Sequence, residues 1–160
     1  MVKKKIILKH YEEDSNSLNK QWGCLESIEE SIRCADKKYK GVLKKVADEI
    51  DKEIKCSLSR INEVVKAWEG LKNKFYKGKY GEENIMIYPY EVIGVNHCVF
   101  CLCVCLDDMH AGIHNRTFNL EYETHDFELE EITKEEFIEG MTQHGLDVFN
   151  YRINRQKEKK

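Results

Sequence analysis

Proline is almost missing from this chain: Pro89 is the only one in 160 residues. Inside a helix, proline removes a backbone hydrogen bond and clashes with the preceding turn, so its scarcity leaves long helices unbroken. No run of 18 or more apolar residues occurs either, which excludes a helical membrane span. The basic start Met1–Lys9 carries only the short apolar stretch Ile6-Ile7-Leu8, too little for a secretory leader. The phosphate-cradling G-x4-G-K-[ST], the dinucleotide G-x-G-x-x-G and the zinc-binding H-E-x-x-H are all absent. Arginine is scarce as well, 5 against 21 lysines. With many Ile, Asn and Glu, this usage fits an AT-rich genome, bacterial or viral, and says nothing about mechanism.

What is present is charge and thiol. Charged residues make up 34% of the chain and hydrophobic ones 41%, a balance suited to a helix-rich protein with a large solvated surface. The length suits a single domain, 1–160. Seven cysteines, an odd number without the spacing of a disulfide framework, predict free thiols in a reducing cytoplasm. Charge is unevenly spread. Residues 1–81 carry 19 Lys and Arg against 13 Asp and Glu, a net of +6. Residues 82–151 carry only Arg116 and Lys134 against 15 acids, a net of −13, and the tail 152–160 returns +4. The acidic segment repels itself, so the basic half, a cation or a basic partner must offset it.

Val2–Leu8 reads as a short edge strand. After the polar break 12–17, apolar residues recur at almost every third or fourth position: Leu18, Trp22, Leu25, Ile28, Ile32, Ala35, Tyr39, then Val42, Val46, Ile50, Ile54, Leu58, Ile61, Val65, Trp68 and Phe75. One continuous helix over 18–76 would be about 90 Å long, too long for a domain of this size. The lysines before Gly41 resemble a helix end, so the pattern favours two antiparallel helices breaking near 39–42 over one long helix. Tyr76–Gly81 reads as a loop dividing a basic, mainly helical 1–80 from an acidic 82–151. Ile85–Tyr88 reads as a strand stopped by Pro89, 91–106 as a long central strand, 107–112 as a turn and 113–123 as the returning strand. Thr133-Lys-Glu-Glu136 is a capping box with an Ile132/Phe137 staple and opens a C-terminal helix; 154–160 reads as a disordered tail. The predicted fold is α+β: a long helical hairpin (or one long helix) packed on a small antiparallel sheet, with a C-terminal helix also covering it.

Four groups of residues carry candidate chemistry. The run from His97 to Leu106 holds Cys98, Cys101, Cys103 and Cys105. On a strand, Val99, Cys101, Cys103 and Cys105 share one face, and Cys98, Phe100, Leu102, Val104 and Leu106 share the other. Both faces are apolar, as in a strand covered on both sides. The competing reading makes Cys101, Cys103 and Cys105 metal ligands. Zinc needs sulfurs converging about 2.3 Å from one point, whereas side chains two apart on a flat strand stand roughly 6.5 Å apart and parallel, so buried core is favoured and no cofactor is expected. The second group is His97, Asp107, His110 and His114 around the turn, candidates for a small pocket with general-base chemistry, against an exposed hairpin turn in which Asp and Gly serve the backbone.

The third group is the acidic block Glu121, Glu123, Asp126, Glu128, Glu130 and Glu131, interleaved with Tyr122 and Phe127. It suits docking on a basic protein, or pairing with lysines of the same or a neighbouring chain. The fourth is the lysine-rich helical half, whose charges alternate with acids as on a solvated helix face; this and the acidic block disfavour direct nucleic-acid binding. The resulting expectation is a non-enzymatic interaction module, a homo-oligomer, of the kind a phage or mobile element uses as an inhibitor, docking an acidic surface on a basic macromolecule. The rival expectation is a small enzyme or ligand-sequestering protein with a His/Asp pocket at 107–114.

Overall fold

Strands that are apolar on both faces need a layer on each side, and this requirement sets the architecture. The computed structural model describes residues 5–9, 12–109, 112–121 and 125–158. In chain order the elements are β1 (Lys5–Leu8), α1 (Glu12–Cys34), α2 (Lys37–Leu71), β2 (Phe75–Tyr80), β3 (Glu83–Ile93), β4 (Cys98–Cys105), β5 (His114–Asn119), β6 (Phe127–Ile132) and α3 (Lys134–Glu158). The six strands form one antiparallel sheet in the order β1-β6-β2-β3-β4-β5. β2 to β5 run as a meander; the chain then crosses back to place β6 on the far side of β2, and β1 closes that edge. The fold is α+β, as the sequence predicts.

The α1/α2 hairpin covers one face. Ile54, Ile61, Val65, Trp68 and Leu71 of α2 pack there on Tyr76, Ile85, Ile87, Val99, Cys101, Cys103, Phe118, Phe127 and Leu129. The other face carries α3, whose Phe137 packs with Met86 and Val104, flanked by Ile132, Leu106 and Met141. The alternation read from the thiol-rich run is the one observed, with Val99, Cys101 and Cys103 under α2 and Val104 and Leu106 toward α3.

The sheet is strongly curled. β5 and β6 are separated by three strands, which would hold them about 19 Å apart in a flat sheet. Yet the Phe118 and Phe127 rings meet edge to face with centroids 4.9 Å apart. Trp68 of α2 stacks on Phe118 (6.3 Å) and meets Phe127 edge-on (5.0 Å), while Tyr80 lies within 5.3 Å of Phe118 and 4.7 Å of Phe127. A register shift between Pro89 and Glu91 marks a β-bulge in β3, a feature that bends and twists a strand. At Gly78 the β2 backbone crosses so close to β6 that an added Cβ would lie 1.8 Å from the Glu128 carbonyl oxygen. At Gly140 a Cβ would meet Met86 Sδ at 2.7 Å, so glycine sets how closely α3 seats on the sheet.

Several boundaries differ from the sequence reading, each for a local reason. α1 begins at Glu12 rather than Leu18. The break between α1 and α2 falls at Asp36, not 39–42: Asp36 takes the extended N-cap conformation (φ −60°, ψ 150°), and Gly41 lies inside α2. Residues 76–81 are mostly strand β2 rather than a loop, because Gly78 permits the close crossing with β6. Pro89 does not stop β3; it sits beside the bulge, where the ladder has already shifted. The single strand expected over 91–106 is divided by a turn at Gly94–His97, with His97 at φ +49°. Strand β6 escaped the sequence reading because its alternation is written in glutamates. The capping box is as expected: Thr133 N–H donates to Glu136 Oε2 (2.7 Å), and Glu136 N–H to Thr133 Oγ1 (3.0 Å). α3 runs on to Glu158, where a disordered tail was expected from 154; Arg155 and Lys157 in its last turn favour the negative end of the helix dipole.

Two stability effects follow. Cys101→Ser places a hydroxyl in a fully buried apolar site and is expected to cost about 1–3 kcal/mol in chemical denaturation; Cys103→Ser is expected to cost less, because the Arg116 guanidinium hydrogen-bonds at that thiol. Tyr76 is fully buried and its hydroxyl has no partner among the described residues. Burial, with the Glu131 charge added, pushes its phenol up to about 12. Between the unfolded value of about 10 and that folded value, only the unfolded chain has released the proton, so stability falls as pH rises through this window. Tyr76→Phe is expected to flatten the fall above pH ~10 in denaturant midpoints, with stability at neutral pH unchanged or about 1 kcal/mol higher.

Candidate functional site

The buried thiols of β4 belong first to the core. Cys101 and Cys103 are fully buried beneath α2, and burial raises both thiols above their ordinary value. A metal ligand must instead be a thiolate. Among the described residues no group of three His, Cys, Asp or Glu side chains converges as a metal site. The apolar fill of the fold therefore accounts for Cys101 and Cys103, and Cys105 lies half-buried at the end of β4.

The candidate catalytic residues divide into separate structural roles. His97 Nδ1 lies 2.5 Å from Glu121 Oε1, joining a candidate catalytic residue to one assigned to partner binding. The His97 carbonyl accepts from Leu120 N–H (2.8 Å), and Asn119 Oδ1 accepts from Glu121 N–H (3.1 Å). These bonds tie the β3–β4 turn to the end of β5. The neighbouring Cys98 donates to the Asn96 carbonyl (3.1 Å), and burial together with the Glu121 charge raises its thiol, opposite to what a nucleophile needs. Asp107 accepts from the Asn84 backbone N–H (2.7 Å) and from its amide Nδ2 (3.1 Å), which hold its carboxyl below the usual range. It pins the start of β3 to the end of β4. His114 is exposed, with Nδ1 3.1 Å from the carbonyl of Gly112 in its own turn. His110 lies outside the described residues. Asp107 thus joins two strand ends, and His114 serves its own turn.

The acidic block is matched from within the chain. Glu128 pairs with Lys5 at 2.6 Å and Glu131 with Lys74 at 3.0 Å. In register, Glu130 stands between Lys5 of β1 and Lys77 of β2, and Glu128 between Ile7 and Lys79. Asp126 and Glu130 have interactions of their own, and Glu123 lies outside the described residues. Lysines of β1, β2 and the segment before β2 supply part of the offset that the charge asymmetry calls for. Beside this ladder an open groove of about 580 Å³ runs between α3 and the sheet, lined by Lys77, Lys79 and Asn84 and by Glu130, Glu136 and Glu139. Glu136 is committed to the capping box.

The surfaces that sequence reasoning passed over are helical. Every buried residue of α2 lies at Ile54 or beyond, so its first half, paired with α1, extends past the sheet. Tyr39, Val42 and Val46 line one stripe of that half, with Tyr39 52% and Val42 63% exposed, and Trp22 of α1 is also exposed. Lys38 and Lys45 lie alongside the stripe, while Lys37, Lys40 and Lys44 lie farther round the helix, and no acid occurs between 37 and 47. α3 behaves alike: Phe137 and His144 are buried, while Ile138, Leu146 and Phe149 are exposed. In the sequence the signal is, for α3, apolar residues in excess of one core-facing stripe and, for α2, a periodic stripe that starts well before its buried part. A thiol-reagent time course checks the core assignment: Cys24, Cys34 and Cys56 are exposed and expected to react at once, and Cys101 and Cys103 only as fast as the protein unfolds. No protein-family model, curated protein or solved structure matches this chain.

Proposed function

We propose that this protein is a non-enzymatic interaction module whose sheet is a scaffold and whose docking element is the projecting half of the α1/α2 hairpin, directed at an acidic protein surface. The observation that carries the reading is the exposed stripe Tyr39, Val42 and Val46, with Lys38 and Lys45 alongside it on the helix. Burial of that stripe supplies apolar area, and the lysines steer and orient a partner of opposite sign. Aliphatic valines at the centre favour a protein partner over a nucleic acid, whose affinity rests on phosphate contacts. The acidic strand residues are a weaker candidate, because Glu121, Glu128 and Glu131 already meet His97, Lys5 and Lys74. A small module of this kind suits an adaptor or inhibitor of a larger assembly.

The test compares two variants in affinity capture from the native host, read by quantitative mass spectrometry and then by titration of the recovered partner. Val42→Asp with Val46→Asp is expected to weaken binding at least tenfold, as loss of an interface centre does, with thermal unfolding little changed. Charge reversal of Glu128, Glu130 and Glu131 to lysine is expected to leave binding intact. Binding lost only with the second variant returns the docking surface to β6 and removes the hairpin from the proposal.

A further inference from the structure

The C-terminal helix carries two apolar stripes, and the fold uses one. Phe137, Met141 and His144 face the sheet. Ile138, Thr142, Leu146, Phe149 and Ile153 follow one another at intervals of four, four, three and four residues along a second stripe. On it Leu146 is 53% and Phe149 60% exposed, far more than isolated surface apolar residues require. Gly145, at the middle of α3, has nothing within 4 Å of where a Cβ would stand, so another backbone can approach there.

The charges of α3 differ from end to end. Its first six residues hold Glu135, Glu136 and Glu139 with Lys134, its last two turns hold Arg152, Arg155 and Lys157 with Glu158, and Asp147 lies between. A helix built this way repels a parallel copy of itself along both ends. Turned through a two-fold axis it becomes its own complement, with acidic turns against basic turns and the helix dipoles opposed. We infer that α3 is a homodimer interface, pairing antiparallel with α3 of a second copy about a two-fold axis near Gly145–Leu146. In that register Ile138 meets the second copy's Ile153, Thr142 meets its Phe149, and Glu135 lies level with its Lys157. Self-complementarity is what selects a second copy as the occupant: a foreign helix would need neither the centred glycine nor charges arranged symmetrically about it. The dimer leaves both α1/α2 hairpins outward, and the inference stands independently of what those hairpins bind.

Sedimentation equilibrium of the full chain across about 1–100 μM, a range that brackets ordinary homodimer affinities, is expected to show a monomer–dimer equilibrium. Phe149→Glu is expected to weaken dimerisation at least tenfold without loss of helicity by circular dichroism, since this side chain supports no core. Leu146→Glu serves as a second variant with the same expectation. Glu135→Lys and Lys157→Glu are each expected to weaken the dimer and together to restore it, which a parallel pairing would not do. A monomer throughout the range overturns the inference. So does a dimer that survives both Phe149→Glu and Leu146→Glu, or one dispersed by Val42→Asp with Val46→Asp instead, which would place the interface on the hairpin. Failure of the double charge reversal to restore the dimer overturns the antiparallel orientation.

Discussion

The contact on which the rest of the structure depends is the meeting of Trp68 with Phe118 and Phe127. Trp68 is fully buried near the end of α2, and its two aromatic partners come from strands that three others separate. They can touch one ring only if the sheet curls around the helix. Curling consumes edge: it closes the concave face over α2, seats Tyr80 and the Arg116 guanidinium against the same rings, and fixes where the returning chain must enter to form β6. The bulge after Pro89 and the close crossing at Gly78 are the backbone devices that permit this bend. Large aromatic side chains suit such a closure because each buries much area and retains a preferred edge-to-face geometry.

Curvature also separates core from contact surface. A sheet wrapped on a helix shelters only the part of the helix it can reach, and here that part of α2 begins at Ile54. The preceding turns, paired with α1, carry their surplus apolar residues into solvent. On the convex face α3 is seated only by its first turns, through Phe137 and His144, and its remainder extends outward. Both projections are thus consequences of long helices meeting a small sheet. This is why the large exposed apolar side chains gather on helices rather than on strands.

Electrostatics follow the same division. The acidic segment joins a basic one by strand pairing: β6 is inserted between β1 and β2, so glutamates 128 and 130 lie in register with lysines 5, 77 and 79. Exposed pairs of this type each contribute at most about 1 kcal/mol, but arranged as a ladder they remove the self-repulsion of the segment. They also favour this register over a one-residue slip, which would turn the glutamates onto the buried face. Glu128 and Glu130 thus each have lysines beside them within the sheet.

Much of the fold was legible. The two-sided apolarity of 98–106, the helical period from 18 to 71, the edge strand at the N-terminus and the Thr133–Glu136 capping box are local patterns, and each is realised because local geometry alone decides it. The separate pairing of β6 was not legible, since Glu-rich alternation reads as surface until lysines from distant strands stand beside it. Nor was the candidate site: His97 and Glu121 lie 24 residues apart in the chain and meet only because the β3–β4 turn abuts the end of β5. The sequence by itself determined which residues must be hidden, through periodicity and the chemistry of apolar and thiol side chains. Only the tertiary structure decided which apolar stripes would remain uncovered and which charges would find partners, because both depend on how far a curled six-stranded sheet reaches along helices longer than itself.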